Sequence, residues 1–354
     1  MHFRLAIFLT VFWACNCLPQ MIERNNPNDP CKGCSSDATS PTGGGGGINL
    51  ITWTQMTSSA QWSARSRFCS VVYNSRIWVI GGIFNMGPAS TTAQTWYSFD
   101  GTTWTKASDN APNATGRFGH TCVVFASKIW LIGGTGSSVQ NDVWSTSDGI
   151  TWTQETASAG WAARHSHASV VYNNRIWVMG GQNGGTFYND VWSSLNGTTW
   201  TQATANAAWA ARSSLAATAD LSKIYVIGGQ TCSDGSCSSN TSFRADVYSS
   251  TDGITWSPVT ITPPWGGRSK HAITYMNGAF YVSGGTKYTG GTYSDVWSSS
   301  DGLNWTQQNG NAVWAGTGAN PSRYDHQMIN LSNQIYILGG KKESFDANDV
   351  WRSN

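Results

Sequence analysis

Proton-transfer chemistry needs carboxylates or imidazoles that stand apart from any structural pattern, and this chain offers few. Glutamate occurs only at Glu23, Glu155 and Glu343. Most aspartates sit at repeated positions, leaving Asp109, Asp220, Asp234, Asp325 and Asp346, so a glycosidase-type carboxylate pair has few candidates. His120, His167, His271 and His326 each follow an arginine by three residues, and Phe68 and Leu215 hold that place in two further copies. A position that accepts Phe or Leu is for packing, not ligation. His165 and His167 lie two apart, as a metal pair on a strand edge would, but no carboxylate or cysteine stands beside them. The sequence contains no nucleophile elbow, phosphate loop or zinc motif. These residues imply no metal and no cofactor.

The arginines ahead of the histidines lead to the elements that position them. Diglycines fall at Gly81-Gly82, Gly133-Gly134, Gly180-Gly181, Gly228-Gly229, Gly284-Gly285 and Gly339-Gly340. Sixteen residues before each stands Arg65, Arg117, Arg164, Arg212, Arg268 or Arg323, and three before each stands Trp78, Trp130, Trp177, Tyr225, Tyr281 or Tyr336. A unit of about fifty residues that recurs six times is the mark of a radial all-β repeat. Asp142, Asp190, Asp246, Asp295 and Asp349 fall at the same end of their sheets as the arginines, so charge-assisted bonds between them are expected. Catalysis needs asymmetry, and these residues recur.

Unit three shows the anatomy. His167 to Tyr172 reads as a first strand, Asn173-Asn174 as a turn, Arg175 to Met179 as a buried second strand, Asp190 to Ser193 as a third and Thr199 to Gln202 as a fourth. Asn196-Gly197, like Asp100-Gly101, Asp148-Gly149, Asp252-Gly253 and Asp301-Gly302, reads as a tight two-residue hairpin. The last unit stops at Asn354 without a fourth strand. Thr52-Trp53-Thr54-Gln55 supplies it, because Trp53 precedes Arg65 by the same twelve residues that separate Trp152 from Arg164. The fold expected is an all-β, six-bladed propeller of four-stranded antiparallel blades, closed by the N-terminal strand.

The Arg-x-x-His start, hydrophobic run, Gly-Gly and spaced aromatics resemble kelch repeats across all six units, from about residue 48 to the end. The resemblance implies a six-bladed kelch, galactose-oxidase-like propeller. No copper constellation can be carried over from galactose oxidase. Ser250 to Trp256 is similar to the Asp-box turn of sialidases but one residue shorter, which makes it a hairpin device. Similarity to the secreted kelch mutarotase that acts on sialic acid would make Glu155 or Glu343, with Arg323, the acid/base candidates.

The net charge of +2 and the dispersed cations exclude a nucleic-acid stripe. Residues 1–17, with His2, Arg4 and the apolar run Leu5 to Ala14, read as a secretory signal, with a lipoprotein site at Cys15 as the alternative. No later apolar run spans a bilayer. Residues 18–47 have the Pro/Gly/Ser-rich composition of a flexible linker, and 48–354 form the propeller. Export leads to an expectation of disulfides: Cys31 with Cys34, locally or between chains, and Cys232 with Cys237 closing a loop. Cys69 and Cys122 lie on first strands of adjacent units at positions that could face one another, with two buried thiols as the favoured reading. Asn113, Asn196, Asn240, Asn304 and Asn330 are glycosylation acceptors.

Strand direction puts every long connection on the arginine face. There the sequence places Trp62, Trp161, Trp209 and Trp265, each three residues before its arginine, with Trp314, which breaks the period, and Arg67, Lys270 and Tyr324. Aromatics among a few polar groups suit a sugar or a peptide. The function expected is a secreted, non-enzymatic module that binds a glycan or an extracellular protein.

Overall fold

In the computed structural model, residues 50–84, 90–112, 115–232, 241–287, 291–316, 322–342 and 345–354 are described. Cys31, Cys34, Cys237, Glu343 and the stretches 1–17 and 18–47, expected to be a signal and a linker, lie outside them. Antiparallel sheets of four strand positions make up six blades, and in the last the innermost position is split into Arg323–Tyr324 and Gln327–Leu331. Trp53–Thr57 pairs antiparallel with Phe345–Ser353 as the outer strand of that blade, so the two ends of the chain close the ring.

The second strands, such as Ile77, Val79 and Ile80, are buried on both faces because each blade packs against two neighbours. Each of the six apolar clusters joins residues of two adjacent blades. The first turns keep their expected form: Asn74, Ser75, Asn173 and Asn174 all have positive φ. The Asp-Gly connections do not. Six residues separate Thr95–Ser98 from Thr105–Ser108, and only the glycine is left-handed. The Asp100 carboxylate accepts the N–H of Thr102 at 2.8 Å instead, an Asx turn in place of a two-residue hairpin. Glycine is needed there for a second reason, since a Cβ on Gly149 would lie 2.0 Å from the Trp78 ring of the preceding blade.

The sixteen-residue spacing is a hydrogen bond. Arg65, Arg117, Arg164, Arg212, Arg268 and Arg323 each donate from Nη1 to the carbonyl of the first glycine of their own blade's pair. Five guanidinium groups also grip the blade's aspartate through both oxygens, as Arg117 grips Asp142 at 2.7 and 3.0 Å. Meanwhile the N–H of the second glycine, for example Gly82, donates to the carbonyl of the next blade's arginine, here Arg117 at 2.9 Å. The last such bond, Gly340 to Arg65, crosses the closure. A Cβ on Gly81 would meet the His120 ring of the next blade at 2.7 Å and the Arg117 carbonyl at 2.9 Å, and one on Gly82 would meet Phe68 of its own blade at 2.9 Å, so neither position has room for a side chain.

Blade one departs from the pattern. Gln94 stands where the others have aspartate and accepts from Arg65 at 3.0 Å, and burial without a carboxylate lowers the Arg65 pKa to about 10. Two stability outcomes follow from closure and from this pairing. Deleting residues 48–56 is expected to cost at least about 3 kcal/mol, the scale of losing a large packed aromatic, and a melting temperature equal to the parent's would contradict the closure. Gln94→Asp is expected to add about 1–3 kcal/mol by giving Arg65 its counter-charge, read as a higher denaturant midpoint; an unchanged midpoint would contradict it.

Candidate functional site

The residue two places after each arginine forms a ring at the arginine end of the channel: Arg67, Gly119, Ser166, Ser214, Lys270 and Asp325. All six have φ between 51° and 63°. Their backbones form a closed circuit, in which each N–H donates to the carbonyl of the ring residue in the preceding blade: Arg67 to Asp325 (3.1 Å), Gly119 to Arg67 (2.9 Å), Ser166 to Gly119 (2.7 Å), Ser214 to Ser166 (2.8 Å), Lys270 to Ser214 (3.0 Å) and Asp325 to Lys270 (2.9 Å). With both backbone groups consumed, only side chains remain to address a ligand. Below the ring lies a cavity of about 210 Å³, lined by the first strands. Ala216, Ala217, Ala272, Ile273 and Met328 line it from blades four to six together with Gln327, and Ser70, Thr121, Cys122 and Ser169 line it from blades one to three together with Phe68 and Ala168.

The mouth is not six-fold in charge. Lys270, Asp325 and Arg67 come from three consecutive blades, five, six and one. Arg67 Nε lies 3.1 Å from Asp325, with side chains 24% and 11% exposed, and the carboxylate raises the Arg67 pKa. The Lys270 ammonium lies 5.7 Å from the centre of the Tyr324 ring. Burial lowers its pKa, with Asp325 opposing the shift and Arg67 and Lys341 adding to it. His165 faces this group from blade three, bonded to Ser166 Oγ at 3.0 Å, and burial, then the Arg67 charge, brings its pKa down to about 4. It is a neutral polar group at neutral pH.

Arg67, Lys270 and Tyr324 are thus brought together, and the residue missed in the sequence is Asp325, which organises them. Its signal was the column two places after each arginine, where Arg, Lys and Asp interrupt Gly and Ser. The tryptophans are corrected. Trp62, Trp161, Trp209, Trp265 and Trp314 are all essentially fully buried and present no surface to a ligand. Each stacks edge-on against a fourth-strand tryptophan: Trp104, Trp200, Trp256, Trp305 and Trp53 respectively. Trp314 does not break the period. It lies 5.9 Å from the Arg323 guanidinium as Trp62 does from that of Arg65, with extra residues inserted between tryptophan and arginine.

The acid/base set is not assembled among the described residues. Arg323 is fully buried and holds Asp349 at 2.8 Å. Glu155 lies on the outermost strand of blade two, bonded by Ser145 at 2.6 Å and Lys128 at 3.0 Å, with a sheet between it and the channel. The preference for free thiols at Cys69 and Cys122 is also corrected: they are bridged, with Cα atoms 5.6 Å apart. Their bridge lies at the one interface whose cluster contains no wedge tryptophan. Cys232 is disulfide-bonded, and Cys237, its expected partner, lies outside the described residues.

A closed ring of antiparallel blades, tied by an arginine and a diglycine in each, defines a kelch-type β-propeller. The KLHDC2/KLHL20/DRC7 Kelch-repeats domain profile matches residues 48–229, slightly more than half of the 354 residues, and the chain belongs to that kelch-repeat family. The solved structure of YjhT is similar to it with a TM-score of 0.64 over 83% of this chain and 96% of that one; the 13% sequence identity makes this a likeness of fold. No curated protein matches the sequence. No helix among the described residues is long and apolar enough to cross a membrane.

The column of histidines has its own consequence. Burial pushes His120 and His271 down to about 3, and His167 and His326 well below the ordinary value, so all four are neutral when folded. The unfolded chain takes up protons below about pH 6.5 and the folded chain does not, so stability present above that pH is lost as the pH falls toward 3. The melting temperature is expected to drop between pH 7 and pH 4.5, and to drop less in His271→Phe, which copies Phe68 of blade one. Equal drops in parent and variant would contradict the assignment.

Proposed function

We propose that the protein is a secreted recognition module whose channel mouth, on the long-loop face, binds the end of a glycan or a segment of an extracellular protein. The observation that carries this reading is the broken symmetry of the mouth. Six positions share one backbone conformation and one hydrogen-bond circuit, which Gly119, Ser166 and Ser214 satisfy without charge, so the circuit does not require the Lys270, Asp325 and Arg67 cluster. A cavity of about 210 Å³ is smaller than the ~300–1,000 Å³ that encloses a drug-sized ligand, which favours the tip of a larger ligand over a free small molecule. Half-buried Tyr188 and Tyr293, stacked over Arg164 and Arg268, add flat surface on the same face. Kelch propellers typically bind proteins, which supports the protein partner. The reading as a sugar-modifying enzyme has less support, since Asp325 is held by Arg67 and Glu155 lies on an outer strand.

Immobilised glycans and candidate extracellular proteins, probed with purified protein, would identify the ligand. Lys270→Ser places in blade five the residue that blades three and four already carry and should leave the melting temperature unchanged. It is expected to weaken binding about tenfold, the loss of one charge-assisted contact. Asn174→Ala, in the turns of the opposite face, is expected to bind as the parent does. Loss of binding in Asn174→Ala but not in Lys270→Ser would move the site to the other face.

A further inference from the structure

One corner of the channel carries a chemical possibility that the recognition role does not use. The His120 Nε2–H donates to the Ile80 carbonyl at 3.1 Å, which fixes the tautomer and leaves the lone pair on Nδ1. Buried Nδ1 has no partner among the described residues. Nδ1 of His167, His271 and His326 is likewise buried without a partner among the described residues, so an idle ring nitrogen is a feature of the repeat. What distinguishes His120 is its company. A ring nitrogen of His120 and the sulfurs of Cys69 and Cys122 all lie within 4.8 Å of one another, and all three residues line the cavity. In the oxidised protein these sulfurs are bonded to each other and cannot ligate as thiolates.

We propose that reduction of the Cys69–Cys122 bridge converts this corner into a site for a soft d¹⁰ cation, zinc(II) foremost, bound by two thiolates and the His120 imidazole. The redox step is an exchange with a dithiol: the external dithiol becomes a cyclic disulfide, the protein bond is cleaved, and two protons pass to the two protein sulfurs. Zinc then displaces both thiol protons. Two thiolates neutralise the dication, so the filled site carries no net charge into the buried channel wall. Zinc takes thiolate and imidazole ligands together, and the remaining coordination position opens on the cavity, as in sites with three protein ligands. The Ile80 carbonyl acts as the outer partner that metal-bound histidines ordinarily have. Reoxidation would expel the metal, so the bridge and the ion are alternative occupants of one place.

The test uses the full chain, with zinc measured by competition against a chromophoric chelator and cobalt(II) as a spectroscopic probe. Because the other six cysteines can also offer thiolates under reducing conditions, the readout is a difference. The dithiol-reduced parent is expected to bind one more equivalent than reduced Cys69→Ser or Cys122→Ser, and the oxidised parent is expected not to bind it. His120→Phe, which keeps the bridge and copies Phe68, should weaken that equivalent about 10–100-fold and change the cobalt spectrum. Equal stoichiometry and affinity in the reduced parent and in Cys69→Ser would overturn the proposal, as would unfolding of the parent on reduction. Should Cys69→Ser itself unfold, the comparison of reduced parent with reduced His120→Phe decides, and identical cobalt spectra there would overturn it.

Discussion

The guanidinium of the repeated arginine is the constraint from which the architecture follows. Its side chain ties the start of the first strand to the end of the second, through the first glycine's carbonyl, and to the third through the aspartate. Its own carbonyl takes the N–H of the preceding blade's second glycine. One residue therefore fixes the inside of a blade and the angle to the next. A charge so fully buried is tolerable because carbonyl acceptors, joined in five blades by a carboxylate and in blade one by the Gln94 amide oxygen, meet its terminal donors in a fixed fork, which lysine could not imitate. The diglycine follows from the arginine, because the two chains it brings together leave no room for a Cβ.

Repetition and exception divide the molecule. What recurs in every blade, or nearly so, packs against other recurring residues: arginine with aspartate, wedge tryptophan with a second repeat tryptophan, hairpin glycine with the aromatic of the blade before. What does not recur collects in two places. One is the blade-one side, where Gln94 replaces the aspartate and a disulfide lies at the interface that has no wedge tryptophan. The other is the mouth, where blades five, six and one present Lys270, Asp325 and Arg67. Gln94 stays among structural partners, whereas the disulfide and the charged cluster both border the cavity.

The blades were legible because the hydrogen bond from each arginine to its glycine spans a constant sixteen residues, and a contact at constant separation leaves a constant interval in the sequence. Closure was legible for the same reason, through the twelve residues from Trp53 to Arg65. Trp314 was misjudged because insertion before Arg323 altered the interval while the packing against Trp53 and Arg323 was kept; spacing reports contour length, and packing depends on position. The Cys69–Cys122 bond could be anticipated as a facing pair but not decided, since the gap between blades is set by side chains elsewhere in the interface. The ring at the mouth left almost no trace. Its left-handed backbone is imposed by the circuit of hydrogen bonds, and five of its six residues are not glycine.

That circuit also bears on how the mouth can recognise anything. Because each ring backbone is locked to two neighbours, the Lys270, Asp325 and Arg67 side chains leave from a frame that cannot adjust, and Arg67 is held by Asp325 before any ligand arrives. Half-buried charges arranged this way add little net affinity, since the desolvation they demand offsets much of the attraction. They discriminate well, because a ligand lacking the complementary groups would strip water from an ammonium and a guanidinium without replacing its hydrogen bonds. A rigid, charged rim over a small cavity of mixed lining is therefore better suited to selecting one end group than to gripping a large surface. The loops around it, which include the short hairpins Gln182–Asn183 with Thr186–Phe187 and Gln230–Cys232 with Thr241–Phe243, are the parts of the fold free to supply contact area to the rest of the partner.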